Sequence, residues 1–266
     1  MPAWFYDLNI VVALLTMYVI FGFVSYLGYF FYHKYFKSDD FASTMTIAAQ
    51  TSMTFGSLFI ALWITLNWNT LANLKLYAKN EAQAVLSIYF NSFKLNEHSA
   101  GEQVRTAVDQ YLNNVIVEAY PLLASNQPNK ISDRYLNQLT WAITGLSIKN
   151  AEDKVTYTEL SNNFNRLIEV RLERLSKGAG SMHGALLIFF IVLLVIICFW
   201  IGFVQSKNRL LTIMVISSQQ FIIISFAWLM LELDCPFEGY FGVDSSAFVH
   251  AQQLIQESRP FLLRRS

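Results

Sequence analysis

Gln50, Thr54, Ser57, Ala61 and Thr65 recur at spacings of four, three, four and four inside an apolar run, so a helix carries all five on one face. An adjacent face holds Thr51, Phe55, Phe59 and Leu62. Small hydroxyls beside bulky apolar rings are the side chains that line a wetted pore with a narrow hydrophobic constriction. The same Ser and Thr residues, with Gly56 among them, equally permit close helix–helix packing in a membrane. Residue type and spacing leave both readings open.

A second group stands where the last apolar run ends, in Leu231-Glu-Leu-Asp-Cys-Pro-Phe-Glu-Gly239. Asp234, Glu238 and Asp244 place carboxylates near a membrane exit, forming an acidic mouth of the oxygen-ligand type that hard cations prefer. Helix capping and solvation explain them as well. Acids at a helix C-terminus oppose its dipole, which predicts basic partners nearby. Pro236 is expected to end the helix and Phe237 to pack back on the interface. Gln219 and Gln220 should face a bundle interior, because an unpaired amide in hydrocarbon costs several kcal/mol. There they either bond a neighbouring helix or meet a permeant species.

Other chemistry lacks sequence support. His33, His98, His183 and His250 are scattered without ligand spacing, so no metal is expected. No nucleophile elbow, phosphate-cradling glycine loop or dinucleotide fingerprint occurs, so neither an enzyme nor a cofactor is indicated. Lys+Arg and Asp+Glu both total 19, which gives no net field for nucleic acid. Cys198 and Cys235 lack paired spacing and read as small apolar fillers.

The elements that must position these residues are membrane helices. The chain is 54% hydrophobic and 14% charged, and its runs Leu8–Tyr32, Thr44–Trp68, Ala185–Val204 and Leu210–Leu233 each approach or exceed the ~20 residues a spanning helix needs. Backbone groups in a bilayer must satisfy one another, so an all-α membrane protein follows. The expected layout is a first transmembrane hairpin over 1–73, a helical polar insert over 74–181, a second hairpin over 182–234 and a C-terminal segment over 235–266. The first run, with no cleavage pattern after it, reads as a retained span rather than a signal peptide. Trp4, Phe5 and Tyr6 before it, and Tyr29 to Tyr32, Tyr35 and Phe36 at its far end, suit interfacial belts.

Nothing breaks the second run at its end, and its pattern continues to Phe90, which predicts a helix leaving the membrane uninterrupted. Ser99 and Glu102 have capping-box spacing ahead of Val104, Val108, Tyr111, Leu112 and Val115, and Pro121 is expected to stop that helix. Further helices are expected over Ile131–Leu146 and Glu159–Lys177. The latter carries Phe164, Leu167, Ile168, Leu172 and Leu175 on one side and a Glu173–Lys177 pair. Membrane-flanking basic residues are Lys75, Lys79, Arg166, Arg171, Arg174 and Lys177 on the insert side, against Lys34, Lys37, Lys207 and Arg209 in the short turns. Their excess places the insert in the cytoplasm, although the rule's weighting of short loops pulls the other way.

Several segments bear a family resemblance. Asn80-Glu-Ala-Gln-Ala-Val-Leu-Ser-Ile-Tyr-Phe90, Val104-Arg-Thr-Ala-Val-Asp-Gln-Tyr111, Arg171-Leu-Glu-Arg-Leu175 and Leu233-Asp-Cys-Pro-Phe-Glu-Gly239 resemble, in order, features of the bacterial bestrophin-like family. The resemblance extends from about Thr44 to Ile255. It implies four spans, a cytosolic insert, cytosolic termini, a bacterial inner-membrane location and a homo-oligomer, typically a pentamer, that passes inorganic ions through the bilayer. By the same analogy, Thr51 and Thr54 face the pore, and Phe55, Phe59 and Leu62 form its neck. The family's acidic segment after the last span is only partly echoed by Asp234-Cys-Pro-Phe-Glu-Gly239, and the consecutive acids that clasp calcium in animal members are absent. The alternative function is a non-conducting scaffold or sensor whose insert binds a partner. A transporter lacks the internal repeat and matched broken helices it would need.

Overall fold

In a computed structural model of the chain, the residues described are 10–35, 39–125, 127, 133–148, 150–178, 184–204, 208–237 and 240–262. They form α1 (Ile10–Tyr35), α2 (Asp39–Asn91), α3 (His98–Asn114), α4 (Tyr120–Ala124), α5 (Arg134–Thr144), α6 (Ala151–Gly178), α7 (Gly184–Ile201), α8 (Arg209–Asp234) and α9 (Ser246–Leu262). No strand occurs among the described residues. Trp4, Phe5, Tyr6, Phe36, Lys37, Lys207 and Glu238 lie outside them.

Three of these helices, α1, α2 and α8, are long and apolar enough to cross a membrane. The expected third span forms the 18-residue α7, whose apolar part is Ile188–Ile201. α2 is one unbroken helix of 53 residues. The absence of Gly or Pro over Ser57–Asn91 lets it run so far.

The chain divides into two units: 1–69 with 181–235, and 70–180 with 236–266. In the first, α1 packs on α7 and α8. The α1–α7 contact is built from small residues: a Cβ at Gly28 would strike the Phe199 carbonyl oxygen, and one at Gly202 would strike that of Ser25. Ser25 Oγ, buried in the same contact, donates to the Cys198 carbonyl at 2.7 Å. Backbones can approach this closely only where side chains are minimal. Gln220 is buried and donates from Nε2 to the Tyr18 carbonyl at 3.1 Å, which places its amide inside the bundle as expected. Cys198 is a buried thiol of this unit.

The second unit joins the end of α2 to α3–α6 and to α9, so the C-terminal segment belongs to the same compact body as the insert. Val104, Val108, Tyr111, Leu112 and Val115 are buried as their spacing predicts. Two local expectations are corrected. The Ser99–Glu102 capping box does not form: α3 begins at His98 behind Glu97, with no side-chain cap, and Ser99 Oγ donates instead to Glu97 Oε1 at 3.4 Å. Pro121 does not stop the helix. Val115–Ala119 widens into a π turn, with the Tyr120 N–H bonded to the Val115 carbonyl, and Pro121 sits in the first turn of α4. A wider turn relieves the clash a proline ring makes with the preceding carbonyls. Phe237 is buried in this unit, with its ring edge-on to Tyr120 at 5.8 Å.

The largest departure is in α6. Leu172 is exposed, and the buried stripe runs Leu160, Phe164, Leu167, Arg171 and Arg174. Two arginines counted above among membrane-flanking charges are therefore internal. Arg171 pairs with Asp133 at 2.8 Å. Arg174 is fully buried and grips the equally buried Glu81 of α2 through Nε–Oε2 at 2.6 Å and Nη2–Oε1 at 3.0 Å. Tyr111 Oη donates to the same carboxylate at 2.6 Å, and the Tyr120 and Phe248 rings flank the guanidinium at 5.2 and 5.7 Å. Burial, then the neighbouring Glu81 charge, holds the Tyr111 hydroxyl well above its ordinary pKa, so it stays a donor. Burial opposes the charge on Arg174, but the Glu81 carboxylate outweighs it and raises the arginine's pKa. The expected Glu173–Lys177 pair forms on the exposed side at 2.9 Å.

Candidate pore-lining face and acidic exit

At about 100° per residue, Ala49, Gly56 and Ile60 share one side of α2, while Thr51, Leu58, Leu62 and Thr65 share the opposite side. The first side is buried and the second exposed. Gly56 makes the buried contact possible, because a Cβ there would overlap Ile197 of α7. Gln50, Thr54, Ser57, Ala61 and Thr65 are all exposed, so within one chain this stripe does not pack helix on helix. Its hydroxyls, and that of the adjoining Thr51, instead bond their own helix: Thr51 to Ile47, Thr54 to Gln50, Ser57 to Thr54 and Thr65 to Ala61, each at 2.9 Å. Such back-bonding satisfies the hydroxyl donors while leaving an oxygen surface.

The neck candidates divide. Phe55 and Leu62 project freely, 69% and 60% exposed. Phe59 is half-buried, edge-on to Phe189 of α7 at 5.7 Å and stacked near Trp63. The fraction of Phe59 available to a partner copy or a pore is therefore smaller.

Asp234 ends α8 in the first unit, and Asp244 belongs to the second. Asp244 accepts from the Ser246 N–H at 3.2 Å and from Ser246 Oγ at 2.5 Å, holding the first turn of α9. Those bonds, led by the Ser246 hydroxyl, lower its carboxyl below the usual range. Its contribution is therefore complete above the ordinary Asp value of ~3.9 and is lost as pH falls through the lower folded value. Asp244→Ala is expected to cost at most about 1 kcal/mol in denaturant unfolding at neutral pH, with the variant converging on wild type in strong acid. Among the described residues, no group of three or more His, Cys, Asp or Glu could hold a metal ion.

Two features escaped the sequence reading. One is the Glu81–Arg174–Tyr111 cluster, whose signal was an Arg at the register of a buried stripe. The other is a cavity of about 520 Å³ between α1 and α8, for which no sequence signal exists, because residues far apart in the chain line it.

A helical bundle carrying three membrane-length helices defines a helical membrane protein. Residues 18–248 match the bestrophin-like domain, and the chain belongs to that family. A crystal structure described as that of a membrane protein is similar in fold, with a TM-score of 0.52 at 15% identity over 91% of this chain and 97% of that one. No curated protein matches.

Proposed function

We propose that the chain is one subunit of a homo-oligomeric bestrophin-type ion channel, pentameric by family analogy, with four spans and with α2 of each copy around the axis. The insert and both termini would lie in the cytoplasm of a bacterium whose inner membrane holds the channel. The observation that carries this reading is the exposed polar stripe of α2. Gln50, Thr54, Ser57 and Thr65 lie on a membrane-length helix yet are covered by nothing in their own chain. Hydrocarbon is a poor neighbour for an amide and a row of hydroxyl oxygens, whereas water in a shared pore is a good one. Phe55 and Leu62 on the adjoining face would narrow that pore and gate it by dewetting. Asp234, Glu238 and Asp244 would bias the exit toward cations only if assembly gathers them.

Protein reconstituted in liposomes should pass a tracer ion. Phe55→Ala with Leu62→Ala should raise that flux several-fold, because both side chains are free of internal packing. Phe59→Ala should raise it less cleanly, since it also removes the Phe189 contact. Assembled protein that passes no ion in any variant would overturn the channel reading in favour of a scaffold or sensor.

A further inference from the structure

We propose that the cavity between α1 and α8 is a binding site for an anionic phospholipid. This inference is independent of conduction. Gln220 lies against Tyr18, and both share one cavity with Arg209 and His33. That is possible only if α1 and α8 run antiparallel, with His33 and Arg209 toward the same end. From Tyr18 to His33 the cavity follows α1 for about 22 Å at 1.5 Å per residue. One leaflet of a ~30 Å hydrocarbon core is about 15 Å deep, so the site has the reach of an acyl chain plus its headgroup.

The chemistry changes along that length in the way a phospholipid requires. The polar end carries Arg209 and His33 beside the first turn of α8, which Asn208 caps by accepting from the Leu210 N–H and whose dipole adds partial positive charge. Arg209 is exposed and makes no ion pair among the described residues, and no carboxylate lines the cavity. Deeper in, the wall includes the rings and aliphatic chains of Tyr26 and Ile213. The floor is kept open by Gly22, where a Cβ would come within 3.1 Å of Gln220 Nε2. A free phosphate would satisfy the basic end but leave the apolar length empty; a neutral lipid would do the reverse. A phosphatidylglycerol-type headgroup with its chain satisfies both.

The test is native mass spectrometry of the full-length protein in detergent with equal amounts of dioleoyl phosphatidylglycerol and dioleoyl phosphatidylcholine. Wild type should retain the anionic lipid about fivefold over the neutral one, the preference that one basic side chain beside an anionic headgroup confers. Arg209→Gln should bring the ratio near one, and Ser217→Phe, which fills the cavity, should reduce retention of both. Millimolar inorganic phosphate should not displace the lipid. Equal retention of the two lipids overturns the proposal, as does a preference unchanged in both variants. Displacement by phosphate would make the site one for a free anion. Cross-linking of Tyr26→Cys between copies in the bilayer would show a second subunit occupying the groove, and would equally overturn it.

Discussion

Glu81→Ala is expected to lower the unfolding free energy by about 3–5 kcal/mol, the cost of leaving a buried charge without its partner. Arg174 has no exposed surface to which its charge could retreat, and two of its nitrogens bond only to the Glu81 carboxylate. Tyr111 Oη would lose its acceptor in the same step. The measurement is the denaturation midpoint of the detergent-solubilised protein. Glu81→Gln should fall less far, because an amide oxygen still accepts from Arg174. Glu81→Leu combined with Arg174→Met and Tyr111→Phe should recover most of the loss, since buried ionic groups replaced together by apolar ones are often neutral or stabilising. A Glu81→Ala midpoint equal to wild type would mean that the pair is not buried as charge. Failure of the triple variant to recover would mean that the cluster fixes the packing of α2, α3 and α6 beyond its electrostatics.

That cluster also marks the limit of what the residues disclose in order. Periodicity predicted the buried side of α3, from Val104 to Val115, because its code is one-dimensional: apolar residues three and four apart. The uninterrupted α2 was legible for a similar reason, the lack of any breaker after Gly56. In α6 the same rule pointed to Leu172 and Leu175, whereas Arg171 and Arg174 take the inner register. An arginine enters a core only when a countercharge from a distant segment waits there, and pattern within one helix cannot report Glu81, 93 residues away. Pro121 misled in a different way. A proline ends a regular α-helix, but here a π turn absorbs it, at a point where Tyr120 packs against Phe237 and Phe248 from a distant segment. On α2 the polar stripe was visible as spacing. Its exposure, which separates packing within a chain from contact with water or another copy, required the fold.

Gly28→Ala is expected to be far more damaging than Gly22→Ala, although both put one methyl on the same helix. At position 22 the nearest atom is Gln220 Nε2 at 3.1 Å, the end of a side chain that can shift. At position 28 the obstacle is the Phe199 backbone carbonyl, with Gly202 Cα at 3.4 Å behind it, and neither has a rotamer to change. α1 and α7 would have to separate, loosening the Ser25–Cys198 bond and the reciprocal contact at Gly202. Overpacking of this kind costs about 1–3 kcal/mol, whereas Gly22→Ala should stay near wild type in thermal denaturation. The consequence would extend beyond α1. α7 also seats α2, through Ile197 against Gly56 and Phe189 against Phe59. A displaced α7 therefore moves the buried side of α2, and with it the angle at which Thr51, Phe55 and Leu62 are presented. If those residues line a pore, Gly28→Ala should change tracer flux in liposomes at a temperature where the protein is still assembled, while Gly22→Ala leaves flux as it was. Equal flux in both variants would place control of the α2 face elsewhere than the α1–α7 contact.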